Sequence, residues 1–134
     1  MLLVDTSVWI DFLNGYESFE GQSLADGIAG NQPIVVTGIV LTEILAGLRG
    51  EAEADRIARL LDAFDYAPDP TRSDCVAAAK IYRACRGGGA MLRSAVDCLI
   101  AQICIRDTLT LLTKDRDFIS IAKYTPLKLA RMPI

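Results

Sequence analysis

Histidine is absent from this 134-residue chain, and that absence narrows the chemistry the protein can perform. Without an imidazole there is no Ser-His-Asp triad, no Cys-His pair and no histidine general base. Histidine is also the commonest ligand of protein-bound transition metals, so sites for such metals are disfavoured. Catalysis is left to carboxylates, hydroxyls, lysine and arginine, or to a hard metal ion held by oxygen atoms.

The four cysteines lack the spacing of a disulfide framework or a zinc site. Cys75, Cys85, Cys98 and Cys104 contain no C-x-x-C pair, and they lie in apolar segments with helical periodicity. We expect all four to be reduced residues of the core.

Long apolar runs and an excess of basic charge are missing too. The longest apolar run is far shorter than a membrane span and the first residues do not form a signal peptide, so we predict a cytoplasmic protein without a membrane partner. The net charge of −3 is unusual for a nucleic-acid binder, which would need a local basic patch or a bound cation. With 51% hydrophobic residues, residues 1–134 are expected to form one domain.

Short apolar segments alternate with amphipathic segments along most of the chain. The candidate strands lie at residues 2–4, 33–37, 64–67, 109–113 and 127–130, and the last of them is expected at a sheet edge. This alternation predicts an α/β fold with helices on both faces of a central sheet, a three-layer α/β/α sandwich. About five strands, mainly parallel and joined by right-handed crossovers, would form that sheet.

Four acidic residues stand where these strands end or where helices begin. Asp5 and Asp115 follow apolar strands, and Glu43 and Asp97 lie in the first halves of helices that start from the same edge. Because parallel strands end at one edge, the four acids could face one pocket. Each acid also has a structural interpretation: a turn for Asp5, a solvated face for Glu43, a Ser94-x-x-Asp97 capping box, and a helix N-cap for Asp115.

A shared cation would make such a pocket possible. Carboxylates at close range raise one another's pKa values, and a divalent cation removes that repulsion. Because the available ligands are oxygens, Mg²⁺ or Mn²⁺ is the expected ion. One or two such ions can catalyse phosphoryl transfer by activating a water molecule and neutralising phosphate charge. No protein nucleophile is then required, which suits a chain without histidine.

Four segments of the chain together resemble the PIN domain. They are residues 4–9 (VDTSVW), 42–47 (TEILAG), 96–101 (VDCLIA) and 112–118 (LTKDRDF), in the order and at the spacing of that family. More narrowly, residues 1 to about 121 resemble the toxin ribonucleases of VapBC-type (type II) toxin–antitoxin pairs.

The resemblance implies a PIN-like fold and a metal-dependent endoribonuclease that uses Mg²⁺ or Mn²⁺. The matching catalytic and metal-binding acids are Asp5, Glu43, Asp97 and Asp115. Asp117 matches a position that is acidic in some members, and Thr6 matches a small hydroxyl residue that supports the first acid. The family also implies a homodimer and a cognate VapB-like antitoxin, a separate chain that blocks the acidic pocket.

Because the net charge is acidic, contacts with RNA phosphates are expected from a few local cations, namely Arg86, Arg93, Lys114 and Arg116. Thr113 stands where many relatives carry a different polar residue.

Three alternative functions compete with the ribonuclease. A phosphoacceptor signalling domain would have two acids after the first strand, but Thr6 follows Asp5. A haloacid-dehalogenase-like phosphatase would have Asp-x-Asp there, and Ser7 occupies the second place. A catalytically inactive PIN-like interaction module would be expected to have lost at least one acid, whereas all four remain.

Overall fold

The structure of the protein, a computed structural model, describes residues 1–131. Pro133, which follows the last predicted strand (127–130) near the end of the chain, lies outside the described residues. Strands and helices alternate within this range, in the order β1 (Leu2–Val4), α1 (Thr6–Asn14), α2 (Phe19–Ala29), β2 (Ile34–Val36), α3 (Gly38–Ala46), α4 (Glu51–Leu61), β3 (Asp65–Tyr66), α5 (Arg72–Gly87), α6 (Val96–Asp107), β4 (Thr110–Leu112), α7 (Asp117–Tyr124) and β5 (Lys128–Leu129).

The five strands form one parallel sheet in the order β3-β2-β1-β4-β5. The chain moves from β1 outwards to β3, then crosses back to place β4 and β5 on the other side of β1. Helices α1 to α4 contact their neighbours in one layer, and α5, α6 and α7 contact one another in the other. The predicted three-layer α/β/α sandwich is confirmed. The reversal between β1 and β4 is a topological switch point, where ligands of α/β proteins bind.

Apolar packing anchors the elements that carry the acidic residues. All residues of β1 are buried, as expected for a central parallel strand. Trp9 of α1 is fully buried, and its ring packs edge-on against Phe12 and Phe64 at centroid distances of 6.0 and 5.3 Å. Phe118 is equally buried at the start of α7. The polar residues beside Trp9 and Phe118 are therefore held by well-packed helices.

One helix has a complete capping box, whereas two caps suggested by the sequence do not form. Thr71 caps α5 in a reciprocal capping box with Asp74. The Ser94-x-x-Asp97 box does not form, because α6 begins at Val96 and the Ser94 hydroxyl accepts from the Val96 N–H instead. The N-cap of α7 is likewise Arg116 rather than Asp115, although an Asp115 oxygen accepts from the N–H of Asp117.

Three of the four cysteines match the prediction of reduced core residues. Cys85, Cys98 and Cys104 are buried free thiols, and burial raises the pKa of Cys98 and Cys104 to about 12. Cys75 is also free, but it is exposed, so the prediction of a core position was wrong there. The buried positions of α5 recur every three or four residues from Asp74 to Cys85, and Cys75 lies one residue outside that stripe.

In the part of the chain that the structure describes, no helix has the length and apolar character required of a membrane-spanning segment.

Candidate metal centre

The register of β1 and β4 brings the first acid to the switch point. Val4 pairs with Leu112, so Asp5 and Thr113 leave the sheet side by side. The Asp5 carboxylate is nearly inaccessible, with 5% of the residue exposed. Its Oδ2 atom accepts hydrogen bonds from the hydroxyls of Ser7 and Thr113, at 2.7 and 2.9 Å. The segments that follow β1 and β4 therefore both fix the orientation of this buried carboxylate.

The same two hydroxyls tie Asp5 to the loop after β4. Ser7 Oγ accepts from the backbone N–H of Lys114 at 3.3 Å, and Thr113 Oγ1 accepts from that of Asp115 at 3.0 Å. Each hydroxyl thus receives a backbone hydrogen bond and donates its own proton to Asp5. This arrangement couples the position of Asp5 to the loop that carries the acids of the last motif.

Glu43 and Thr6 form a separate contact at the edge of the site. Glu43 lies on the exposed face of α3, and the Thr6 hydroxyl donates to its Oε1 atom at 2.7 Å. Thr6 was expected to support Asp5, but it opens α1, which packs against α3, so its side chain reaches Glu43. Ser7, one residue later, supports Asp5 instead.

Asp97 lies in the first turn of α6, whose following residues are largely buried. Within residues 1–131 its carboxylate has neither a hydrogen bond nor an ion pair. Burial raises its pKa to about 7, and four further acids raise it in turn, in the order Asp115, Asp5, Asp117 and Glu43. All five acids therefore surround one region, with Asp97 at its partly buried side.

Three of these carboxylates come close enough to share an ion. One oxygen atom from each of Asp97, Asp115 and Asp117 lies within 4.8 Å of the others. Three oxygen ligands, one of them without a protein partner and strained by repulsion, fit the preferences of a hard divalent cation. The family resemblance placed Asp117 outside the four catalytic acids, whereas here it belongs to the closest trio. Asp5 and Glu43 lie outside this trio, and each accepts hydrogen bonds from hydroxyl groups.

The four predicted phosphate-binding cations have different positions. Arg93 pairs with Asp115 and Asp117. Lys114 instead forms an ion pair with Asp11 and lies 5.3 Å from the centre of the Tyr16 ring. The other two cations are exposed: Arg116, between two acids of the site, and Arg86, 5.9 Å over the ring of Tyr82.

Sequence analysis missed the roles of Ser7 and Asp11. Ser7 was not predicted to support Asp5, although a hydroxyl two residues after an acid at a helix start can reach back to it. Asp11 lies one turn beyond Ser7 on α1, and its carboxylate accepts a hydrogen bond from the ammonium group of Lys114. Burial alone would raise the pKa of Asp11, but hydrogen bonds from Lys114 and Ser18 lower it.

A groove of about 760 Å³ lies between α1 and α2, next to this ion pair. Its lining includes Asp11, Phe12, Tyr16 and Phe19, and Phe19 has 84% of its surface exposed. The ammonium of Lys114 contacts both Asp11 and Tyr16, so the groove adjoins the loop that carries Asp115.

A family model and curated proteins similar to the chain both point to the same family. The profile of the PIN domain matches residues 2–124. The VapC ribonuclease Mb1587 of Mycobacterium bovis is 33% identical over 137 aligned residues, covering 97% of this chain and 98% of that protein.

Solved structures with the same fold are less similar in sequence. VapBC2 from Rickettsia felis, solved bound to a promoter DNA fragment, has a TM-score of 0.74 and 18% identity, with 96% of each chain covered. VapC20 of Mycobacterium tuberculosis, a toxin that cleaves the sarcin-ricin loop, has a TM-score of 0.70 and 19% identity, with 95% of this chain and 98% of that chain covered.

Proposed function

The chain belongs to the PIN domain family, and from that membership we propose that it is a metal-dependent endoribonuclease toxin neutralised by a separate antitoxin. The observation that carries the proposal is the set of four carboxylates around Asp97, which itself has no hydrogen bond or ion pair among the described residues. A relative that is 33% identical over nearly its whole length is a VapC ribonuclease. A carboxylate site at the switch point of a parallel sheet suits hydrolysis of a phosphodiester.

Asp97, Asp115 and Asp117 are the residues that would hold the ion, with Mg²⁺ or Mn²⁺ as the proposed cofactor. When bound, such an ion supplies an activated water and neutralises charge on the phosphate. We propose that Asp5 and Glu43 complete the acidic site, so that Asp5, Glu43, Asp97 and Asp115 remain the proposed catalytic set.

The remaining polar residues position these acids and the substrate. Ser7 and Thr113 fix the orientation of Asp5, and Thr6 fixes that of Glu43. Arg93, which pairs with Asp115 and Asp117, and Arg116, which lies between these two acids in the sequence, are the proposed partners of RNA phosphate oxygens. Lys114, bound to Asp11, is better placed to hold the loop than to contact RNA.

The proposal is tested by incubating antitoxin-free protein with transfer, ribosomal and messenger RNA, with Mg²⁺ or Mn²⁺ and then with EDTA. We expect cleavage only with the metal, and a loss of at least about 100-fold in rate for Asp5→Asn, because that carboxylate belongs to the charge-stabilising site. Circular dichroism of both proteins serves as the control for folding. If the folded, metal-loaded protein cuts none of these RNAs, the chain is a PIN-like interaction module instead.

We propose the groove between α1 and α2 as the docking surface for a VapB-like antitoxin. Several structural neighbours are toxin–antitoxin complexes, and this groove has aromatic residues in its lining, is exposed at Phe19 and adjoins the acidic site through Lys114. A segment bound there would lie next to Lys114 and could extend over the acids. The homodimer, the single-domain organisation and the cytoplasmic location stay predictions.

Phe19→Asp is expected to weaken antitoxin binding by about 30-fold or more, since it removes an exposed aromatic anchor and adds a charge. Affinity is measured by calorimetry with the purified cognate antitoxin, and RNA cleavage by the free variant should remain unchanged. Val76→Asp is the matched control, because Val76 is an exposed apolar residue of α5, outside the groove. Equal affinities for the two variants would assign the antitoxin to another surface.

A further inference from the structure

Arg93 occupies the acidic site with its side chain and its backbone. It lies in the loop before α6, with 74% of its side chain exposed. Its Nη2 atom is 2.6 Å from Asp115 Oδ2, and its Nε atom is 3.2 Å from Asp117 Oδ2. Its backbone N–H also donates to Asp117 Oδ2, at 3.1 Å. For residues 1–131, both ion pairs of Asp115 and Asp117 are made with this one guanidinium.

The arrangement leaves Asp115 with a donor on each oxygen. Oδ1 accepts the backbone N–H of Asp117 at 3.0 Å, and Oδ2 accepts the guanidinium. The first donor is fixed at the start of α7, whereas the second is the end of a long, exposed side chain. A divalent ion and a guanidinium on the same carboxylate would repel each other strongly. The guanidinium is therefore the group that must leave when an ion binds through Oδ2.

We infer that Arg93 is an internal counter-ion that competes with the divalent metal for Asp115 and Asp117. This inference rests on the proposed function, since it takes that metal site as given. Without metal, the guanidinium pairs with two of the three clustered carboxylates and offsets one of their negative charges. With metal, it is released beside the site, where it is free to bind an RNA phosphate. One positive charge thus serves the acids in one state and the substrate in the other.

Competition makes a prediction opposite to that of a structural role. If the guanidinium occupies the acids for most of the time, the apparent metal affinity is reduced by the fraction of molecules that are free to bind. Removing Arg93 should then strengthen metal binding. If Arg93 instead holds the two carboxylates in the geometry the metal needs, removing it should weaken metal binding.

The experiment is calorimetric titration with Mn²⁺ alone, without RNA, on the wild type, Arg93→Gln and Arg116→Gln. Arg116→Gln is the matched control because it removes the same charge next to the same acids, without an ion pair in the described structure. We expect Arg93→Gln to bind Mn²⁺ about three- to tenfold more tightly than Arg116→Gln, the range for an exposed ion pair that bridges two carboxylates. Arg93→Lys should fall in between, because an ammonium cannot bridge both acids as a planar fork does.

Equal Mn²⁺ affinities for Arg93→Gln and Arg116→Gln would overturn the competition, and weaker binding by Arg93→Gln would replace it with a positioning role. A different result would contradict the proposed function. If the folded wild type and its Asp97→Asn variant bind Mn²⁺ equally, these acids are not the metal site. Competition is supported only when Asp97→Asn weakens binding and Arg93→Gln strengthens it.

Discussion

Asp97→Asn is expected to reduce RNA cleavage by at least about a thousandfold while leaving the fold intact. The other four acids all raise the pKa of Asp97, so it lies in the field of every acid of the site. An amide of the same shape carries no charge to attract a cation. The change breaks no hydrogen bond or ion pair among residues 1–131, so the fold has little to lose. Initial cleavage rates at saturating Mg²⁺ measure the effect.

The same substitution should stabilise the metal-free protein at high pH. A carboxyl whose pKa is raised to about 7 on folding contributes stability that is complete below its unfolded pKa and is lost as the pH rises through 7. An asparagine does not titrate. The melting temperature of Asp97→Asn should therefore exceed that of the wild type at pH 8, and the difference should shrink as the pH approaches 4.

The control for both effects is Asp55→Asn, which neutralises an exposed acid on α4, outside the acidic site. This variant should cleave RNA and melt like the wild type. If Asp97→Asn still cleaves RNA at the wild-type rate, Asp97 only shapes the start of α6 and the metal site must be sought among the other acids.

The fold could be predicted because its signals are local. Three short apolar runs give β1, β2 and β4, each followed by a helical pattern, and such alternation permits few architectures. The edge at which the acids meet follows from the same argument, since all carboxyl ends of a parallel sheet lie together. Asp5 and Asp115 could be assigned to one pocket on that basis.

The contacts inside the site could not be predicted, because they depend on strand order and register. Thr113 meets Asp5 only because β4 lies beside β1 with Leu112 opposite Val4, although the two residues are far apart in sequence. Arg93, in the loop before α6, contacts Asp117, which follows α6 in the chain. The periodicity of apolar residues predicts neither which strand lies beside another nor the path that a loop takes.

Thr6 illustrates a finer limit. The motif places two hydroxyl residues after Asp5, and either could support it. Which one does so depends on the side of α1 that faces the carboxylate, and that is fixed by the packing of α1 against α3. Local sequence sets the helix, but the tertiary contact sets the role of each hydroxyl.

The apparent affinity for Mn²⁺ is expected to rise about tenfold per pH unit between pH 5 and 7, and to level off above pH 7. Metal binding requires the charged form of Asp97, whose pKa is raised to about 7 by burial and by the neighbouring acids. Below that pH the ion must displace a proton, so affinity falls with each unit of acidity. Calorimetric titrations with Mn²⁺ at several pH values give this dependence directly.

Proton release supplies an independent check of the assignment to Asp97. Titrations in buffers with different ionisation enthalpies should report about one proton released per Mn²⁺ at pH 5, about half a proton at pH 7 and almost none at pH 9. Asp97→Asn should bind more weakly and lose most of this release, whereas Asp55→Asn should retain it. A wild-type affinity that does not change between pH 5 and 7 would show that Asp97 is ionised before the metal arrives. The ion would then be attracted to carboxylates that are already charged, and the repulsion in the site would have to be relieved in another way, for example by the Arg93 guanidinium that pairs with Asp115 and Asp117.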